Sequence, residues 1–229
     1  MDEEIRLLLE QLTNTRQVYK ASTVYYQGQL WGHDVVICKS GVGKVNAAVC
    51  TQSLIDTFAV EAILFTGVAG AVSATLRIGD IVVSSDCMYH DMDARALGFA
   101  VGEIPYATTS VFTADAELVQ AAVDAGHRMY PELQVEVGRV LSGDQFIADR
   151  AHVAFLREEL GGSCTEMEGA AVAHVCVMNA VPFVIVRSMS DQADGSAHTN
   201  FAEFTVTAAK HSLGIIEGML TANNVQNDH

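Results

Sequence analysis

The run Asp34-Val-Val-Ile-Cys-Lys39, then Ser40-Gly-Val-Gly43, then Lys44-Val-Asn-Ala-Ala-Val-Cys-Thr-Gln-Ser-Leu-Ile-Asp-Thr-Phe58 and, shortly after, Ala62-Ile-Leu-Phe65 decides the fold class. The β-branched run Asp34 to Lys39 predicts a strand. The glycines break it, and Val45 to Phe58 carries apolar residues at helical spacing. Ala62 to Phe65 predicts a short buried strand that ends in Thr66-Gly-Val-Ala-Gly70. Strand, helix and strand follow one another here, and the same alternation continues outward along the chain. Gly79 to Ser84, Val135 to Leu141 and Pro182 to Ser188 predict further strands. Asp115 to Met129, Arg150 to Leu160, Gly169 to Asn179 and Phe201 to Leu220 predict helices. Gly169 to Asn179 is apolar on nearly all sides, so that helix is expected to be buried. Strands separated by helices predict a three-layer α/β/α sandwich. In such folds ligands collect at the carboxyl ends of strands. The polar and glycine-rich ends are Ser40 to Gly43, Thr66 to Gly70, Ser142-Gly143-Asp144 and Ser190-Asp191.

Composition narrows the function classes. Of 229 residues, 50% are hydrophobic and 18% charged, which fits one folded unit and excludes disorder for the bulk of the chain. The expected unit is a single domain over 1–220 with a frayed tail over 221–229. A formal net charge of −15 repels phosphate backbones, so neither nucleic acid nor an anionic membrane surface is expected as a partner. The 5 cysteines lack C-x-x-C spacing and read as free thiols in a reducing compartment. The start Met-Asp-Glu-Glu is acidic where a signal peptide would be basic. The longest uncharged stretch, Gly169 to Val186, holds His174, Asn179 and Pro182, and so reads as a helix followed by a strand, not a membrane span. The protein is expected to be soluble and cytoplasmic.

Several segments carry candidate chemistry, each with a plain structural alternative. Gly41-Val-Gly-Lys44 lacks the full spacing of a phosphate loop and of a dinucleotide fingerprint. It is either a tight turn or a place where backbone approaches a ligand. In Thr165-Glu-Met-Glu-Gly169, two carboxylates flank a methionine before an apolar helix. If the chain is extended there, Glu166 and Glu168 share a face and could accept bonds from paired sugar hydroxyls; otherwise the acids simply favour a helix N-terminus. Asp191 closes a buried strand as a general acid or as the cap of the next turn. His90-Asp91 and His198 are polar candidates in loops. No metal-ligand spacing is present.

In their order and spacing, Lys39-Ser-Gly-Val-Gly-Lys-Val45, Thr66-Gly-Val-Ala-Gly70, Gly79-Asp-Ile-Val-Val-Ser84, Tyr89-His-Asp91, Ser142-Gly-Asp-Gln-Phe-Ile147, Glu166-Met-Glu-Gly-Ala-Ala-Val-Ala-His-Val-Cys176 and Val181-Pro-Phe-Val-Ile-Val-Arg-Ser-Met-Ser-Asp191 resemble one known group. It is the nucleoside phosphorylase and nucleosidase superfamily, and within it the 5′-methylthioadenosine/S-adenosylhomocysteine nucleosidase family. The resemblance covers nearly the whole chain. It implies a phosphorylase-like fold with a central mixed sheet, hydrolysis of the N-glycosidic bond of a small adenine nucleoside, no cofactor and no metal. It also implies residue roles. Asp191 would protonate adenine at N7, with Ser190 orienting it. Glu4 would bind the attacking water, and Arg187 would help hold water and carboxylates. Glu168 would take the ribose hydroxyls, with Met167 on the sugar and Glu166 nearby. Phe146 would stack on adenine and the Ile147 backbone would read its edge. Val42 and Phe201 would line the slot for the 5′-alkylthio group. Leu97 and Pro105, in loop 94–106, would be lent to that slot by a second subunit, which implies a homodimer. Val68 stands where phosphorolytic relatives use a serine for phosphate, and so favours water as nucleophile. The family pattern has a short strand just before the segment matching Met1 to Glu4, so either the natural start is expected upstream or this form lacks a sheet strand. Two alternatives stand beside hydrolysis: a phosphorylase, and a nucleoside-binding relative with impaired catalysis.

Overall fold

The computed structural model describes residues 2–193 and 197–222, except for the side chains of residues 2–4, 197–203 and 205. The elements run α1 (Asp2–Gln11), β1 (Thr13–Lys20), β2 (Thr23–Leu30), β3 (His33–Cys38), α2 (Lys44–Phe58), β4 (Ile63–Ala71), β5 (Ile81–Tyr89), β6 (Val111–Thr113), α3 (Ala116–Met129), β7 (Val135–Ser142), α4 (Arg150–Glu158), β8 (Gly162–Glu166), α5 (Gly169–Met178), β9 (Phe183–Asp191) and α6 (Ala197–Thr221).

Local chemistry sets several of these boundaries. The Asp115 side chain accepts from the N–H groups of Glu117 and Leu118, each at 3.0 Å, and so caps α3 at the residue where the sequence predicted the helix to begin. Ala59 is left-handed (φ 50°) and ends α2, its N–H bonded to the Ile55 carbonyl. Strand β9 is buried at every position, which explains its continuous apolar run. Its side chains alternate between faces. Val184 and Val186 pack with Ala122, Ala125 and Ile215 of α3 and α6. Phe183 and Ile185 pack with Ala170 to Ala173 of α5. Helices therefore cover both faces of a mixed sheet, the α/β architecture that the alternation predicted.

That sheet also curls. β4 and β9 run parallel from Ile63↔Phe183 to Gly70↔Asp191, and β5 runs parallel to β7. β8 joins β7 to β4 through short ladders. β5 then pairs antiparallel with β9 over Ile81–Val83, which closes β5, β7, β8, β4 and β9 into a ring. Closure removes the free edge that an open sheet would leave on β9. The first three strands form a separate antiparallel sheet, β1-β2-β3. β3 pairs with β2 alone, and its Asp34–Cys38 segment faces the Ala62–Gly70 segment of β4 across a cavity that both line. α1 packs against α6 and β3, and its Ile5 and Leu8 line that cavity too.

His198, expected in a loop, lies within α6 by its backbone; its side chain is outside the described residues. The expected tail falls outside them from residue 223.

Candidate functional site

The cavity has a volume of about 1340 Å³ and opens where the carboxyl ends of β4, β8 and β9 meet the loops after β3 and β7. It gathers residues that are far apart in sequence. Glu166, Met167, Glu168, Arg187, Ser190 and Asp191 line it from β8, β9 and the turn into α5; Val42, Phe146 and Ile147 line it from the two loops. Leu97 and Pro105 do not line it. Leu97 is 68% exposed at the end of a short 3-10 turn, Arg95–Leu97. Glu4 and Phe201 have their backbones in α1 and α6, and their side chains lie outside the described residues.

Asp191 is the last residue of β9 and is 3% exposed. Its Oδ2 accepts from Ser190 Oγ at 2.8 Å and its Oδ1 from the Ala193 N–H at 2.7 Å. The second bond caps the following turn, as one of the two sequence readings had it, and the carboxyl lines the cavity. Gly70 is the matching position on β4. A Cβ there would lie 3.0 Å from Asp191 Oδ1 and 2.8 Å from Ala193 Cβ, which is why the strand carries no side chain at that point.

The Glu-Met-Glu segment is not extended throughout. Glu166 ends β8 and Glu168 occupies the first turn position before α5. The two acids thereby take different jobs. Glu166 Oε2 accepts from the Glu168 N–H at 3.1 Å and the Gly169 N–H at 2.8 Å. It pairs with Arg187 at 2.5 Å, both side chains being almost wholly buried. Glu166 is thus the cap of α5, which is the alternative the sequence left open for both acids. Ser142 Oγ donates to Glu166 Oε1 and accepts the Ala170 N–H at 2.7 Å, satisfying another exposed donor of the helix start. Ser142→Ala strands that N–H in a buried site and is expected to cost about 1–3 kcal/mol. A shift of the urea midpoint checks this, and an unchanged midpoint would show that α5 does not depend on the bridge.

Glu168 instead turns to the loop after β3. Its Oε1 accepts the Gly43 N–H at 2.7 Å. Burial, and then the negative Glu166, push its carboxyl above the ordinary range, while Arg187 and the Gly43 N–H pull the other way. Among the described residues neither Glu168 nor Asp191 is in an ion pair, whereas Arg187 is engaged with Glu166 and lies 4.2 Å above the Phe65 ring. The site therefore presents two carboxyl groups with which no cation among the described residues pairs.

A brace around the Gly43 turn escaped the sequence reading. Gly43 has φ 91°, a conformation that favours glycine, and a Cβ there would come 3.1 Å from Asp144 Oδ1. Asp144 Oδ1 accepts the Lys44 N–H at 2.8 Å, Lys44 Nζ meets Asp91 Oδ2 at 2.6 Å, and the Asp144 N–H donates to Asp91 Oδ2 at 2.9 Å. Lys44, Asp91 and Asp144 stitch three strand ends together. Each lies in a polar segment that the sequence singled out, but nothing local showed that the three meet. His90 is buried beside Gly143, and burial pulls its imidazole below the usual range. Among the described residues no group of three His, Cys, Asp or Glu side chains is arranged to hold a metal.

Comparison with known proteins gives the family to which this chain belongs. The family model for the phosphorylase superfamily matches residues 1–221. A 5′-methylthioadenosine/S-adenosylhomocysteine nucleosidase from Tolumonas auensis is 38% identical over 221 residues, covering 96% of this chain and 95% of that protein. Its counterpart from Geobacillus thermodenitrificans is 39% identical over 222 residues, covering 96% and 93%. The crystal structure of the Neisseria meningitidis nucleosidase in complex with methylthio-immucillin-A superposes with a TM-score of 0.91 at 37% identity, covering 97% of this chain and 96% of that one. A futalosine hydrolase structure from Helicobacter pylori also superposes with a TM-score of 0.91, at 31% identity over 97% and 94%. The chain belongs to the phosphorylase superfamily and, within it, to the 5′-methylthioadenosine/S-adenosylhomocysteine nucleosidase family.

Proposed function

We propose that the protein hydrolyses the N-glycosidic bond of 5′-methylthioadenosine and S-adenosylhomocysteine, and of 5′-deoxyadenosine as a further substrate, releasing adenine and the 5′-substituted ribose. The observation that carries this reading is that Asp191 and Glu168, neither paired with a cation among the described residues, open onto one cavity together with Phe146. Cleavage passes through a sugar with cationic character. Carboxylate near the ribose stabilises that charge, and a proton delivered to adenine N7 makes the base a better leaving group. In this reading Asp191, oriented by Ser190, is the proton donor. Glu168 takes the ribose hydroxyls, and Met167 packs on the sugar. Phe146 stacks on the base and the Ile147 backbone reads its edge. Arg187 pairs with Glu166, the cap of α5, and so positions Glu168. Glu4 holds the water, and Val42 and Phe201 line the 5′ slot.

Hydrolysis is favoured over phosphorolysis because Arg187 is already engaged with Glu166 and Lys44 with Asp91, and because Val68 offers phosphate no hydroxyl. Adenine release from methylthioadenosine in phosphate-free buffer tests this. Release supports hydrolysis, release only after phosphate is added supports a phosphorylase, and binding without release supports an impaired relative.

No helix among the described residues is long and apolar enough to cross a membrane. A cytoplasmic enzyme of methionine salvage fits this reading.

The exposed apolar residues Leu97, Tyr106, Val42, Val45 and Val49 support a homodimer in which Leu97 and Pro105 complete the partner's 5′ slot. Leu97→Ala is then expected to raise KM for methylthioadenosine more than for adenosine, by roughly tenfold, since one apolar contact is worth about 1–3 kcal/mol. Equal changes for both substrates would remove Leu97 from the slot. Light scattering that shows an active monomer would remove the dimer.

A further inference from the structure

We propose that Cys38 and Cys50 form a reversible disulfide that staples the two ends of the loop carrying Gly43. Cys38 ends β3, and Cys50 lies in the second turn of α2. Their sulfurs stand 3.2 Å apart, one thiol donating to the other. A disulfide needs about 2.05 Å, so closure asks for little more than a side-chain adjustment and a small approach of β3 to α2. Both thiols line the cavity, which gives a small oxidant a path to them. Cys87, Cys164 and Cys176 do not line it, and burial pushes their thiols up, so they hold their protons. Cys50 differs: the bond from Cys38 is the largest influence on it and lowers its pKa. Tyr25 pairs with Cys38 across the β2–β3 ladder and is fully buried beside this pair.

With hydrogen peroxide as oxidant the step balances in two stages. The Cys50 thiolate displaces hydroxide from peroxide and becomes a sulfenic acid. The Cys38 sulfur then attacks the Cys50 sulfur, and the sulfenic oxygen leaves with the thiol proton as water. The two sulfurs lose two electrons, which peroxide takes up.

The consequence reaches the site through the chain. The residues between the two cysteines include Gly43, whose N–H holds Glu168 at 2.7 Å. Drawing the loop ends together shifts that N–H, and a misplacement near 1 Å is enough to cost up to about 10²-fold in rate. This part rests on the nucleosidase reading; the cross-link itself does not.

The test treats the reduced, purified protein with hydrogen peroxide and then titrates thiols under denaturing conditions. The expected result is loss of two of the 5 thiols. The tryptic peptides 21–39 and 45–77, each holding one of the two cysteines, should be joined until a thiol reductant separates them. Adenine release should fall about tenfold on oxidation and recover on reduction. Cys38→Ser and Cys50→Ser should each keep their turnover through the peroxide treatment. All thiols surviving, or a different pair joining, would overturn the proposal. The joined peptides with turnover unchanged would overturn the coupling to Glu168.

Discussion

Asp191→Asn is expected to lower kcat by at least about 10²-fold while the protein keeps its melting temperature within a few degrees. The amide preserves the shape of the side chain. Its oxygen can still accept one of the two bonds that hold Asp191, from Ser190 Oγ or from the Ala193 N–H. What it cannot do is deliver a proton to the departing base. Positioned acids contribute about 10²–10⁴-fold, so a variant that keeps a tenth of the wild-type rate would remove Asp191 from that role. A large fall in melting temperature would show instead that the turn after β9 needs both acceptors.

Glu168→Gln should separate activity from stability in opposite directions. The glutamine oxygen can still accept the Gly43 N–H. The charge is lost, and with it the stabilisation of a cationic sugar, so kcat/KM is expected to fall about 10²-fold. Stability goes the other way. The carboxyl of Glu168 titrates above its unfolded value because it is buried and faces Glu166. A raised carboxyl favours the folded state while it is protonated, and that contribution is lost as pH rises through the folded pKa. At neutral pH the ionised group is therefore a cost that the amide does not carry, and the variant should melt at the same temperature or higher. In the wild type the same shift predicts that kcat/KM falls on acidification before an ordinary glutamate would protonate. If Glu168→Gln is silent in kinetics, the segment acts only at the helix terminus, as Glu166 does.

The strand and helix alternation carried most of the fold. The apolar run of β9 and the all-round apolar α5 each left a local signature that tertiary packing did not overrule, and α2 formed where apolar residues recur at helical spacing. The closure of the ring left none, because it depends on Ile81 to Val83 meeting Val186 to Ser188, a pairing that neither segment encodes alone. The two hairpins of the small sheet were equally silent. Their turns place Ala21, Ser22, Trp31 and Gly32 at positive φ, where Asn-Gly or Asp-Gly would have announced the turn. The first strand of the first hairpin is polar and almost wholly exposed, so it has little burial pattern to read.

The site was legible to the extent that its residues end strands. Asp191 and Glu168 stood out as acids beside apolar runs. The division of labour between Glu166 and Glu168 was not, because it turns on one backbone change between β8 and α5 that points one acid at the helix start and the other at Gly43. The Lys44, Asp91 and Asp144 brace was hidden for the same reason that most ion pairs are: three strand ends from two sheets meet only once the chain has folded.

The most direct test of the account is the identity of the sugar released from methylthioadenosine with inorganic phosphate in excess. Water as nucleophile predicts free 5-methylthioribose in amounts equal to the adenine formed, with no dependence on phosphate. Methylthioribose 1-phosphate as the product, its yield following phosphate concentration, would contradict the account.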